Sequence, residues 1–213
     1  MNCIQMIEQV AKVVQDDDFD EDYIRDLLNR AMLRIAGGML RPGTSTLTQP
    51  LPGLYAVGTA TTTLLSSTVP LPSNYQRGVV MVCNSLGVEI QIYDAFQEFI
   101  QAYPLRTYTG AINAVGIKGR DIYLQGIPAT PETITFHYHR YPVDMVTDAS
   151  VPDGLPSEFH DALLVNYAIR EISRMKEDGI DGSDFNTQRY NKMFQDALIE
   201  LDASVPADGA MLR

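Results

Sequence analysis

Two histidines set two residues apart, His137 and His139, are the first side chains in this sequence whose spacing could do chemistry. On a strand, that spacing points both rings to one face, where they could hold a metal ion. The same face carries Thr133 and Thr135, and no third ligand is evident, so the pair reads as exposed histidines on a polar sheet face. Asp16, Asp18 and Asp20 have the opening spacing of a calcium loop. Such a loop needs Gly at its sixth position and Glu at its twelfth. Here those positions hold Glu21 and Leu27, and a solvated helix cap is the better account. Ser157, Glu158, His160 and Asp161 crowd the start of an apolar run. A nucleophile and its base normally meet across a fold, and no G-x-S-x-G elbow is present. Capping explains Ser157 better than catalysis does. The glycines between Gly110 and Gly126 lack the phosphate-loop pattern and open no helix; they fit β-turns. The sequence therefore calls for no catalytic, cofactor-binding or metal-ligating residue.

Composition agrees. The chain has 213 residues, 45% hydrophobic and 20% charged, enough to bury a substantial core without metal or disulfide. Its two cysteines, Cys3 and Cys83, stand far apart and read as reduced thiols. The opening MNCIQMIEQVAKVV has no basic region and no long apolar core, so no signal peptide is expected. No stretch approaches the ~20 apolar residues of a membrane span. A soluble protein made in a cytoplasm is the expectation. The net charge is −11, unevenly spread. Residues 1–36 carry 8 acids and 4 bases, residues 37–152 carry 7 and 6, and residues 153–213 carry 12 and 6. The ends are acidic and the middle is near neutral. Such a surface does not grip phosphate backbones, which are bound by Lys and Arg displacing counterions.

The elements that would position these residues follow from hydrophobic period. Cys3, Ile7, Val10 and Val14 form a one-sided helical stripe. Asp20 can cap a second helix with Glu21 and Asp22 in its first turn. Its stripe is Ile24, Leu27, Leu28, Ala31 and Ile35, and Gly37-Gly38 stops it. Residues 41–53 read as a linker. The period then changes to that of strands: 54–66, then 79–83 and 88–93 around the turn Asn84-Ser85-Leu86-Gly87, with Val88, Ile90 and Ile92 on one face. A short helix over 95–103 ends at Pro104. Residues 112–117 and 121–125 flank Lys118-Gly119-Arg120 as a second hairpin. The strand 133–139 places Ile134, Phe136 and Tyr138 on one face. After Pro156 the helical period returns. Ser157 is expected to cap a helix to about Lys176, apolar nearly all round between Ala162 and Ile169 and so packed on several sides. A turn over 177–182 leads to a last helix, capped by Ser183 or Asp184, with Tyr190, Phe194, Ala197 and Leu201 as its stripe. Pro206 stops it.

The predicted fold is α+β: an antiparallel bundle formed by the N- and C-terminal helices, with an inserted antiparallel β-domain, sandwich or barrel. The predicted domains are 1–40 with 155–203, an inserted 54–145, and a C-terminal tail 204–213.

The ordered set of segments carries a family resemblance. YIRDLLNRAMLRIAGG (23–38) is followed by VPLPSNYQR (69–77), the hairpin VVMVCNSLGVEIQIY (79–93), and the F-x-x-F-I-x-x-Y-P segment from Phe96 to Pro104. ITFHYHRYP (134–142), LPSEFHDALLVNYAI (155–169) and DGSDFNTQRYNKMFQDALIELD (181–202) complete the set. This order resembles the head–tail adaptor proteins of tailed bacteriophages, also called connector or head-completion proteins, of the short-tailed type. The resemblance covers nearly the whole chain; each single motif is weak, and the order is what is specific.

The resemblance implies a virion protein at the head–tail junction, made in the host bacterial cytoplasm. It implies a ring of about twelve subunits, closed by cyclic symmetry. The ring sits under the portal protein and offers a platform to the tail nozzle or tube and to tail-fibre proteins. DNA passes through its channel without sequence-specific binding. The family's C-terminal segment tends to reach onto the portal, which here places Met211, Leu212 and Arg213 as docking residues. Rival readings are a virion-associated cell-wall hydrolase and a carbohydrate-binding tail module. A hydrolase would clear cell walls and a lectin would be retained on sugar. An adaptor does neither and forms rings with portal.

Overall fold

The computed structural model describes residues 1–16, 18–37, 50–93, 95–177 and 184–205. The chain divides into two compact units: Met1–Leu54 with Tyr141–Arg213, and Tyr55–Arg140.

The first unit is helical. Helix α1 (Cys3–Val14) starts in a capping box: the Asn2 side chain accepts from the Gln5 amide, and the Gln5 side chain accepts from the Asn2 amide. The amides of Cys3 and Ile4 donate to the carbonyls of Ser150 and Asp148, at 2.8 and 3.1 Å. The first turn of α1 is thereby tied to the returning segment after Tyr141. Helix α2 (Glu21–Gly37) begins as its sequence predicts, with the Asp20 carboxylate accepting from the Tyr23 amide at 2.7 Å. Its predicted stripe is buried throughout, together with Met32 and Ala36.

The end of the predicted linker and the first residue of the predicted strand behave differently. Leu51, and Leu54 in a 3₁₀ turn Pro52–Leu54, are buried in the core of this unit. The predicted linker residues 41–49 lie outside the described residues. Met145 is also buried there, and Asn29 fixes it from both sides: Asn29 Nδ2 donates to the Met145 carbonyl and Asn29 Oδ1 accepts from its amide.

The helix after Pro156 enters by a route that the sequence does not announce. Ser157 makes no side-chain cap. The segment His160–Val165 is a π-helical turn that runs into α4 (Asn166–Glu177). In such a turn the hydrogen-bond register slips by one residue and a carbonyl loses its partner. Asn166, itself buried, donates from Nδ2 to the Ala162 carbonyl at 2.9 Å. The run from Leu163 to Arg170 is buried at every position. This is the all-round burial expected of a helix enclosed by others: the π turn packs against α1, α2 and α5 (Phe185–Ser204). Helices α1, α2, α4 and α5 share one apolar core.

The start of α5 corrects the expected cap. The side chain of Asp184 caps nothing there, and Ser183 and the turn 178–183 lie outside the described residues. Instead the carboxylate of Glu177, at the end of α4, accepts from the amides of Asn186 and Thr187, each at 3.1 Å, and from the Thr187 hydroxyl at 2.6 Å. A negative charge on unsatisfied N-terminal amides is the favourable end of the helix dipole.

The second unit has its own core. Its strands are β1 (Tyr55–Thr61), β2 (Thr68–Pro70), β3 (Tyr75–Cys83), β4 (Glu89–Tyr93), β5 (Thr109–Gly110), β6 (Ala114–Lys118), β7 (Asp121–Leu124), β8 (Ile127–Pro128) and β9 (Thr133–Arg140). One seven-stranded sheet runs β1-β9-β3-β4-β6-β7-β2. Its end strands β1 and β2 lie side by side without pairing, so the sheet is nearly closed. The predicted strand 54–66 is shorter than expected: β1 ends at Thr61, and the next strand, β2, begins at Thr68, beyond the predicted range. Both predicted hairpins form, Val82 opposite Ile90 and Lys118 opposite Asp121. The unit is mostly antiparallel, but β4 pairs with β6, and β5 with β8, in parallel. A parallel pair needs a crossover. For β4 and β6 the crossover contains the predicted short helix, α3 (Phe96–Ala102). Its Phe99 is fully buried, and a side chain at Gly116 of β6 would meet the Phe99 ring at 2.5 Å. Of the predicted one-sided set, Ile90 is buried and Val88 is exposed: Val88 closes the turn, its amide bonded to Asn84 Oδ1.

Candidate functional site

The residues singled out for chemistry separate in the fold. His137 and His139 share a face of β9, but that face is not simply polar and exposed. His139 is only 5% exposed. The ring of Tyr55 on β1 covers both: its hydroxyl bonds His137 Nδ1, and its ring meets His139 edge-on at 6.0 Å. Register explains this, because Tyr55 lies directly opposite His139. The pair is thus packed under an aromatic side chain.

His160 is buried at 1% exposure, a structural rather than a surface residue. Its Nε2–H donates to the Leu155 carbonyl at 3.0 Å, which leaves Nδ1 as an acceptor for the Met1 nitrogen at 3.2 Å. Burial holds its pKa below the usual histidine value, and the Leu155 carbonyl opposes that shift only in part. Asp161 points elsewhere, accepting from Gln9 Nε2 at 2.6 Å. Ser157 is exposed and shares no hydrogen bond with His160 beyond a backbone turn. No nucleophile–base pair results.

Asp16, Asp18 and Asp20 divide into separate tasks. Asp16 pairs with Lys176 and accepts from the Asp18 amide; the Lys176 bond holds its carboxyl below the ordinary value. Asp20 caps α2. Among the described residues no group of three His, Cys, Asp or Glu is placed to hold a metal ion. No described helix is long and apolar enough to cross a membrane.

What the sequence did not disclose is a cleft in the helical unit, about 280 Å³, lined among the described residues by Arg34, Arg170 and Arg174 with a single carboxylate, Glu171. Arg170 is the buried one. Its guanidinium lies over Tyr167 at 4.5 Å and Phe194 at 5.2 Å, and is bonded to Glu171 and to Asn191 Oδ1. Arg34 reaches over the same Tyr167 ring from the end of α2, and Arg174 stands 71% exposed at the mouth. A second cavity, about 330 Å³ and mostly apolar, opens where α5 ends, between Leu51–Gly53, Gly154–Pro156 and Ser204–Val205. The predicted docking residues Met211, Leu212 and Arg213 lie outside the described residues.

The β-unit presents apolar side chains on its turns. Leu65, Leu86 and Leu105 are 93%, 84% and 77% exposed, all on connections between its elements. Charge separates the units as sharply. Residues 55–140 hold 5 acids and 5 bases, so the whole net −11 belongs to 1–54 and 141–213.

Exposed apolar turns on the β-unit, and a net charge that belongs wholly to the helical unit, are features suited to a structural assembly component. The family comparison makes that specific. The SU10 adaptor protein family matches residues 1–211, and the chain belongs to that family. It is a bacteriophage head–tail adaptor, a structural protein of the virion that associates with other phage components, and the family name is consistent with the short-tailed type. No curated protein matches the chain in sequence.

Proposed function

We propose that the chain is one subunit of a closed adaptor ring that joins the portal to the tail and extends the DNA channel. The observation that carries this reading, beside family membership, is the confinement of net charge to the helical unit. In a ring whose wall is the helical unit, bundled and facing the channel, that charge repels DNA phosphates and lets the duplex slide without sticking. The neutral β-unit, with Leu65, Leu86 and Leu105 in solvent, is the platform for tail nozzle or tube and tail-fibre proteins. The ring is dodecameric in this reading.

The C-terminal segment is the portal anchor. Pro206 follows the last turn of α5, and Met211 and Leu212 bring apolar side chains after Ala207-Asp208-Gly209. Burying those two side chains on a partner contributes ~2–4 kcal/mol per copy before ordering costs. Repetition around a ring turns a weak contact into strong avidity.

Electron micrographs of the chain mixed with its portal test the reading. The full chain should form rings on portal, and a chain lacking 207–213 should fold but assemble poorly. Equal assembly by the truncated chain would remove the anchor; absence of rings with either chain would remove the ring itself.

A further inference from the structure

We propose that the arginine cleft is the subunit–subunit socket, and that its occupant is the acidic α1–α2 turn of a neighbouring copy. The proposal rests on the ring reading above and names the surfaces that would close it.

The cleft is anomalous in its surroundings. The helical unit has 22 acids and 11 bases, yet Arg34, Arg170 and Arg174 converge around one carboxylate among the described residues. Glu171 is already engaged by Arg170, whose remaining bond goes to Asn191. Arg170 is fixed by two aromatic rings and serves as a built-in floor. Arg174 at the mouth makes a loose 3.6 Å contact with Glu171. The local excess of positive charge is suited to carboxylates. A volume of about 280 Å³ admits one or two side chains and is too small for a duplex. The acidity of the unit around it also disfavours a polyanion such as DNA.

The densest supply of carboxylates in the chain is the α1–α2 turn, QDDDFDED over residues 15–22. Several of these acids are engaged within their own subunit: Asp16 with Lys176, Asp20 at the α2 cap, Asp22 with Arg25. Asp18 and Glu21 are exposed, and no described partner engages either carboxylate. The turn and the cleft are held apart by α4. Lys176 faces the turn, stacking over Phe19 and pairing with Asp16, whereas Arg170 and Arg174 face α5 and the cleft. A plug and socket on different sides of one subunit cannot satisfy each other within it. They join copies head to tail, the kind of contact that closes a ring by rotation.

Charge reversal in trans tests this with the full chain. The socket variant is Arg34→Glu with Arg174→Glu, both exposed, leaving buried Arg170 intact. The plug variant is Asp18→Lys with Glu21→Lys, leaving the capping and paired acids intact. Assembly on portal is read by electron microscopy and native mass spectrometry. Wild type should form rings, and each variant alone should assemble roughly tenfold less well or not at all, since like charges then meet in every contact. An equimolar mixture should recover, because each lysine plug finds a glutamate socket and each acidic plug an arginine socket. The recovered rings should contain the two variants in equal number. Rescue in trans also shows that neither variant is misfolded. If wild type forms rings and the variants do so equally well, the socket is wrong and the ring stands. If the variants fail and the mixture does not recover, the cleft serves another partner, DNA included, and the proposal is overturned. If wild type forms no ring, the ring reading and this inference fall together.

Discussion

The two units of this chain solve opposite problems. The helical unit carries all of the net charge and spends polar side chains on its own termini: Asn2 and Gln5 on α1, Asp20 on α2, Glu177 on α5. The β-unit is neutral, closes its sheet almost fully on itself, and leaves apolar side chains on its turns. An acidic, capped helical body is suited to line a path for DNA. A neutral body with exposed apolar turns is suited to adhesion. The comparison teaches that net charge is confined to one unit, while exposed apolar side chains occur on both: Leu65, Leu86 and Leu105 on the β-unit, Val146 and Phe185 on the helical unit.

The sharpest way to break the comparison is to damage one core and watch the other. Phe136 is fully buried in the β-unit core. Phe136→Ala should destabilise that unit by about 3–5 kcal/mol. Amide hydrogen exchange should show loss of protection across 55–140 and little change in α1, α2, α4 and α5. Equal loss in both units would show that they fold as one body and that the division is only geometric.

A smaller effect is expected at the π turn. Asn166→Leu leaves the part-buried Ala162 carbonyl without this partner, at a cost of about 1 kcal/mol. Chemical denaturation should show this loss. A neutral result would mean that the turn relaxes to an ordinary α-helix at no cost.

Glu177 sharpens the contrast in capping. Its hydrogen bonds, first of all that from the Thr187 hydroxyl, hold its carboxyl below the ordinary value of 4.5. A depressed carboxylate contributes stability that is present above the unfolded pKa and lost as pH falls through the folded one. Glu177→Gln should therefore melt below wild type at neutral pH, and the gap should close in acid. A gap independent of pH would show that the charge of Glu177 is not what caps α5.

How much of this was legible in the sequence depends on the range of the interaction. The stripes of α1 and α2, the Asp20 cap and the two hairpins are local, and each was readable from spacing. The all-round burial of Leu163–Ile169 was readable too, as an apolar run without a polar face. The π turn was not, because its cause is the packing that crowds His160–Val165, and no residue type marks it. Ser157 looked like a cap because it preceded the run; the true entry lies three residues on. His139 looked exposed because strand alternation knows nothing of Tyr55, which arrives from β1. The parallel pairing of β4 with β6, the Glu177 cap and the arginine cleft are long-range meetings: Arg34 and Arg170 share Tyr167 across most of the chain. The adaptor family was read from segment order.

The smallest expected effect concerns His160. Burial lowers its pKa below 6.5, so the folded state resists protonation while the unfolded chain accepts it. Its contribution is complete above pH 6.5 and is lost progressively as pH falls from there to the lowered folded value. His160→Gln should flatten the stability profile over that window. An unchanged slope would assign the acid sensitivity to other groups.

In the proposed ring the helical unit faces the DNA path and the β-unit faces the tail proteins. Electron cryo-microscopy of the chain assembled on its portal tests this most directly. The account predicts a closed ring whose channel is walled by α1, α2, α4 and α5, with the turns bearing Leu65, Leu86 and Leu105 directed away from the channel. A ring whose channel is lined by the neutral β-unit, with the acidic helices outside, would contradict it.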